Sequence, residues 1–141
     1  MDLSDNKKEL EHGFLNIDVS FDFADRVKDV TFFYYPDSKK TGLRDWQSQI
    51  NFEVLSYYDN QDFEKVRLWE FQSKIVNHGY GTVILQEFFN YFMEKQAQPV
   101  AIVGKLSDID EEDENNRQRR DHLYNKFGFE FVDGWIKTTI N

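Results

Sequence analysis

Residues 76–89 read VNHGYGTVILQEFF. Gly79 and Gly81 open a segment in which Val83, Ile84, Phe88, Tyr91 and Phe92 recur at close to helical spacing. The spacing predicts an amphipathic helix of about four turns, ending near Gln96 and closed by Pro99. Glycine admits positive φ and lets a backbone approach a ligand closely. The N–H groups of a first helical turn lack intrahelical partners, and the helix dipole favours negative charge there. A glycine turn feeding a helix therefore suits a pyrophosphate, although Gly-x-Gly taken alone also describes an ordinary turn. The dinucleotide fingerprint would need glycine where Ile84 stands, and no Gly-Lys-Ser/Thr follows to make a P-loop.

Working outward, residues 65–71 (KVRLWEF) read as the strand entering this loop, with Val66, Leu68 and Glu70 on one face and Arg67, Trp69 and Phe71 on the other. Residues 15–23 (LNIDVSFDF) alternate as a strand, and residues 30–35 (VTFFYY) form a second that stops at Pro36. Residues 24–29 are their hairpin connection, and residues 37–45 are loop. Residues 46–58 fit a strand through Ile50, Phe52 and Val54, and a helix through Trp46, Ile50, Val54 and Tyr57; the strand is the preferred reading. Beyond the glycine helix, residues 100–103 (VAIV) read as a buried strand reached by a parallel crossover. Residues 107–116 read as an acidic loop with six carboxylates and residues 117–126 as a helix stopped by Gly128. Residues 129–132 and 135–140 are two last strands turning at Asp133-Gly134. Residues 1–12 are a loose lead-in or a short helix. The sum is an α/β fold, a mixed and mostly antiparallel sheet flanked by helices around a strand–glycine loop–helix–strand unit.

A chain of 141 residues suits one domain with one core, spanning 1–141. At 40% hydrophobic and 17% aromatic residues it carries too much apolar material for disorder. No apolar run reaches the ~18 residues of a membrane span, and the first thirteen residues lack a signal-peptide centre. The absence of cysteine excludes disulfides, thiolate metal sites and a cysteine nucleophile, and fits a cytoplasmic protein. A net charge of −9 argues against nucleic-acid binding and favours a cationic small partner or plain solubility. The lone His12 and His122 make no metal-ligand spacing, so no metal is expected.

The stretch 76–89 resembles the acetyl-CoA pyrophosphate loop and helix of the GNAT superfamily of N-acyltransferases, whose pattern is Gln/Arg-x-x-Gly-x-Gly/Ala. Gly79 and Gly81 match the two small positions, while Val76 stands where Gln or Arg is usual. Residues 123–129 (LYNKFGF) resemble the family's late helix-to-strand segment, Leu/Phe-Tyr-x-x-x-Gly-Phe, and one helix and one strand separate the two blocks, as in the family. The resemblance covers residues 66–132; the first sixty residues agree only in strand order.

The resemblance implies acetyl-CoA as acyl donor, held by the loop residues Val76, Asn77, His78, Gly79, Tyr80, Gly81 and Thr82. It places the oxyanion donor among the backbone N–H groups around Phe71 and Ser73, and sets Asn116, just before the late helix, and Lys126 on it near the cofactor. Tyr124 matches the tyrosine that can protonate the departing thiolate; packing on the sheet is its structural alternative. Glu70 stands on the strand that often carries the general base, where a face shared with Val66 and Leu68 would give it partly apolar surroundings; an exposed strand-end carboxylate is the alternative. The expected reaction moves an acetyl group to a primary amine by direct attack in a ternary complex. The acidic run after residue 107 could draw a cationic small-molecule or peptide acceptor, and Arg117, Arg119 and Arg120 could pair with it or reach the 3′-phosphate of CoA. The partners implied are acetyl-CoA and an amine acceptor, with a homodimer as the candidate assembly and neither nucleic acid nor membrane. Two departures support an alternative, a catalytically inactive module binding acyl-CoA or a protein: Val76 at the Gln/Arg position of the loop, and the six residues that separate Phe23 from Val30 where the family usually places two helices.

Overall fold

The computed structural model describes residues 7–75, 78–106 and 114–141. Among the described residues eight strands and two helices run in the order β1 (Lys7–Glu9), β2 (Phe14–Phe21), β3 (Val27–Tyr35), β4 (Ser48–Tyr57), β5 (Phe63–Ser73), α1 (Tyr80–Lys95), β6 (Val100–Lys105), α2 (Glu114–Lys126), β7 (Glu130–Val132) and β8 (Trp135–Ile140). The strands make one sheet in the order β1-β2-β3-β4-β5-β6-β8-β7. Every pairing is antiparallel except β5 with β6, which α1 joins as a parallel crossover. No helix among the described residues is long and apolar enough to cross a membrane.

The core lies between one face of the sheet and the helices. Leu15 and Ile17, Val30, Phe32 and Tyr34, and Ser48, Ile50, Phe52 and Val54 alternate inward along β2, β3 and β4. Residues 46–58 thus resolve as the strand Ser48–Tyr57, because period two fits every buried side chain from Ser48 to Val54. The apolar face of α1 (Ile84, Leu85, Phe88, Tyr91 and Phe92) is buried against this surface. Phe52 sits at the centre, its ring 5.4 Å from that of Phe88 and 5.2 Å from that of Phe92. Helix α2 joins the same face: Phe127 stacks on Phe89 of α1 at 5.4 Å, and Tyr124 lies 5.8 Å from Phe71 of β5. Neither helix covers the opposite face.

Several boundaries differ from the sequence reading. Residues 7–9 are an edge strand rather than a loose or helical lead-in, tied to α1 by Lys8 Nζ, 2.9 Å from Glu87 Oε2. Burial lowers the Lys8 pKa, but the hydrogen bonds and charges of Glu87 and Glu94 together raise it above the ordinary value. Helix α2 begins at Glu114, not after Asn116, with the acidic Glu114 in its first turn where the dipole favours it. The β2–β3 connection is a hairpin as expected, but it lies at residues 22–26 rather than 24–29, because β2 ends at Phe21 and β3 already begins at Val27. Asp22 Oδ1 accepts the N–H groups of Ala24 at 2.8 Å and Arg26 at 3.0 Å, so a single side chain holds the turn. Asp133 (φ 48) and Gly134 (φ 81) give β7 and β8 a two-residue turn whose left-handed backbone matches strand twist.

Tyr91 is a polar exception within the core. Its hydroxyl is buried without a hydrogen-bond partner among the described residues, and burial pushes its pKa far up. An unpaired buried hydroxyl is a net cost. Tyr91→Phe is therefore expected to leave stability unchanged or raise it by about 1 kcal/mol, read as the denaturation midpoint in urea.

Candidate functional site

The site is built where β5 leaves β6. Their pairing runs from Lys65↔Ala101 to Leu68↔Gly104, and β5 then continues to Ser73 bonded to β4 alone. Gly104 marks the parting point. A β-carbon there would lie 3.2 Å from Leu68 O and 3.2 Å from Ile136 Cγ1, so glycine suits the close approach of the strands here. Beyond it the sheet opens into a wedge, and the backbone groups of residues 69–73 that face away from β4 line one side of it.

A bulge decides which side chains face which way. Phe52 pairs with Leu68 and Asn51 with Glu70, leaving Trp69 as the extra residue. The insertion reverses the alternation: Leu68 and Phe71 face the helices, while Glu70 faces the uncovered side with Asn51. The sequence reading, which put Glu70 beside Val66 and Leu68, is corrected here, because uninterrupted period two carries no allowance for an inserted residue. Glu70 is exposed and accepts a long hydrogen bond, 3.4 Å, from Gln49 Nε2.

At the end of β5 the chain turns into α1. Lys74 N–H donates to Gln47 O at 2.8 Å, and the fully buried Ser48 hydroxyl donates to Tyr80 O at 2.9 Å, so β4 fixes both sides of the glycine turn. Gly79 holds φ at 75°, a left-handed value that suits glycine. The first helical bond is closed by Val83 N–H on Gly79 O at 3.0 Å. The N–H groups before it point out of the helix end, which has no side-chain cap and no acidic residue in its first turn. The end of this helix is thus electropositive, with neither a side-chain cap from Gly79 nor an acidic residue in its first turn to offset it.

Gly81 lies at the centre of a close-packed corner. A β-carbon there would stand 3.2 Å from Ser73 Oγ, 3.4 Å from Phe71 Cζ and 3.5 Å from Leu123 Cδ2. Ser73 Oγ is itself buried with no hydrogen-bond partner among the described residues. Tyr124 is 6% exposed, with its ring against Phe71, Phe129 and Phe131.

Of the residues expected at the site, the fold therefore brings together Phe71, Ser73, Gly79, Tyr80, Gly81, Thr82 and Tyr124 along the end of β5, the start of α1 and the last turn of α2. His78 is exposed, its ring 5.5 Å from that of Tyr80. Lys126 is exposed in the last turn of α2, and Asn116 falls in the first. Glu70 stands across the sheet from Tyr124. Val76, Asn77 and most of the acidic run, residues 107–113, lie outside the described residues. His12 is exposed beside Glu11, His122 is exposed, and no cluster of metal-ligating side chains occurs among the described residues. Sequence reasoning missed Ser48 as the anchor of the turn and Leu123 as a wall of the corner; Leu123 had been legible as the first residue of LYNKFGF. A depression of 480 Å³ walled by Phe23, Arg26, Leu55 and Tyr57 sits at the other end of β5 and is no part of this site.

No protein-family model matches the chain, and neither does any curated protein. Solved structures do. One is described as an acetyltransferase of the GNAT family from Desulfovibrio desulfuricans, with a TM-score of 0.52 at 10% identity over 81% of this chain and 69% of that one. Another is AtaTR bound with AcCoA, with a TM-score of 0.51 at 10% identity over 89% of this chain and 93% of that one. At that identity the likeness is one of architecture: this chain has the GNAT-like fold, a mostly antiparallel sheet parted at its single parallel pair and backed by helices.

Proposed function

We propose that the chain is an acetyl-CoA-dependent N-acyltransferase. The observation that carries this reading is the wedge: β5 leaves β6 at Leu68↔Gly104, runs on to Ser73, and leads to the N-terminus of α1, where Gly79 supplies no side-chain cap. Such a helix end attracts the pyrophosphate of CoA through its free N–H groups and dipole. The unpaired edge of residues 69–73 can receive the amide groups of the pantetheine arm as a further strand would. The orphaned Ser73 hydroxyl and the lack of a side chain at Gly81 fit a donor lying in that corner. The acetyl-CoA seen in the AtaTR structure is in keeping with this donor.

In the reaction, the amine nitrogen attacks the thioester carbonyl carbon. The oxyanion is stabilised by backbone N–H groups at the end of β5, the C–S bond breaks, and the thiolate takes a proton while the amine loses one. Direct attack needs no covalent enzyme intermediate, and the chain has no cysteine to form one. Tyr124, on the helix side of the wedge, is the proton donor to sulfur. Glu70, turned by the bulge to the uncovered side, is the base that takes the amine proton, directly or through water. Acid and base thus reach the thioester from opposite sides of the opened sheet.

Binding of acyl-CoA without transfer is the second reading. It is favoured by the tight turn at Asp22, which leaves the acceptor side without a helical cover. Release of free CoA from acetyl-CoA in the presence of primary amines separates the two. Turnover is expected, and Glu70→Gln should lower kcat by roughly 10²-fold or more. An unaltered kcat in that variant would remove Glu70 as the base.

A further inference from the structure

We propose that Arg67, stacked with Trp69 and Trp135 on the helix-free side of the sheet, selects an acceptor that carries an anionic oxygen group, a carboxylate or a phosphate, beside its amine. The inference rests on the acyl-transfer reading and names the class of molecule that the reaction consumes.

The two indoles stand on the lips of the wedge. Trp69 is the bulged residue at which β5 parts from β6, and Trp135 of β8 pairs with Lys105, the last residue of β6. The Arg67 guanidinium lies 3.7 Å from the Trp69 ring centre and 5.0 Å from that of Trp135. Both rings keep an open surface, with Trp69 51% and Trp135 39% exposed.

Arg67 makes no hydrogen bond or ion pair among the described residues, and its Nε is buried without a partner. The neighbouring carboxylate on β4, Glu53, is already engaged: Trp69 Nε1 donates to it at 3.1 Å, and Lys28 Nζ stands 3.1 Å away. Those two contacts, with a smaller contribution from the Arg67 charge, hold its pKa below the usual carboxylate range. A stacked guanidinium has its ring-facing surfaces covered and its N–H donors left in the plane, in the fork that a carboxylate or phosphate matches.

The bulge puts Glu70 on the same side of the sheet as Arg67, within about 10 Å along the strand. A carboxylate and a guanidinium at that separation read a molecule bearing both an ammonium and an acid. Glu70 receives the amine that will react, Arg67 fixes the acid, and the indoles flank the body of the molecule. The overall charge of −9 works against a polyanion, so the acceptor is a small zwitterion rather than a nucleic acid. This departs from the cationic acceptor that the acidic run suggests.

The test uses the full chain and paired probes: phenylalanine against phenethylamine, and O-phosphoethanolamine against ethanolamine. Tryptophan emission is followed without acetyl-CoA, and CoA release with it. At least one acid-bearing probe should change the emission and exceed its acid-free partner in kcat/KM by roughly tenfold or more; which one does so tells carboxylate from phosphate. Arg67→Met should erase both effects while acetyl-CoA binding, read by calorimetry, stays unchanged, and Arg67→Lys should restore part of the preference. Equal or better use of phenethylamine and ethanolamine, or a preference that survives Arg67→Met, overturns the proposal. If no amine releases CoA, the acyl-transfer reading fails; the emission titration then decides the Arg67 site alone, and an absent response to both acids overturns it.

Discussion

Tyr124→Phe is expected to lower kcat by roughly 10²–10⁴-fold while leaving acetyl-CoA affinity and the fold in place. The substitution removes only the hydroxyl. The ring contacts with Phe71 at 5.8 Å and Phe129 at 5.2 Å are ones that phenylalanine also makes. A purely structural Tyr124 would give a variant with normal turnover. A proton donor to sulfur would give one that binds donor normally and releases CoA slowly. Steady-state CoA release, set beside calorimetric affinity, distinguishes them. Because the loss falls on the departure of the thiolate, an acyl donor with a less basic leaving thiol should recover part of the rate.

Phe52→Ala is expected to destabilise the fold by about 3–5 kcal/mol, enough to threaten the folded state of a small domain. Phe52 is fully buried on β4, and its ring meets Phe32, Phe63, Phe88, Tyr91 and Phe92, joining three strands to α1. Removing it leaves a cavity bounded by rings that cannot all collapse inward. Phe131→Ala, at a residue 37% exposed on the short β7, is the matched control. It should cost far less, on the order of 1 kcal/mol. Urea denaturation of both variants checks the contrast.

The strand–loop–helix unit was legible because its signals are local: glycines at 79 and 81, followed by apolar residues at helical spacing, need nothing from the rest of the chain. The terminal hairpin was legible for the same reason, Asp133-Gly134 being a turn pair by its own backbone preferences. Glu70 was misplaced because the facing of its side chain depends on the bulge at Trp69, and a bulge is fixed by the register against β4 rather than by the residues of β5. The strand at residues 7–9 has no apolar period to announce it; it forms because β2 offers an edge and Glu87 a counter-ion to Lys8. Arg67 read as an ordinary strand cation. Its distinction lies in Trp135, which is brought to it across β6 by the return of the last strand, a long-range consequence of sheet order. The orphaned Ser73 hydroxyl belongs to the same class, since only packing against Gly81 removes it from water.

The wedge and its glycine corner are tested most directly by calorimetric titration with acetyl-CoA of the wild type and of Gly81→Val, once circular dichroism has established that both are folded. The valine branches would occupy the space beside Ser73, Phe71 and Leu123 at the helix end. The account predicts saturable binding by the wild type with Kd between roughly 1 μM and 1 mM, and none by Gly81→Val. A folded wild type giving no heat up to about 1 mM acetyl-CoA, or a Gly81→Val variant that binds as tightly as the wild type, would contradict it.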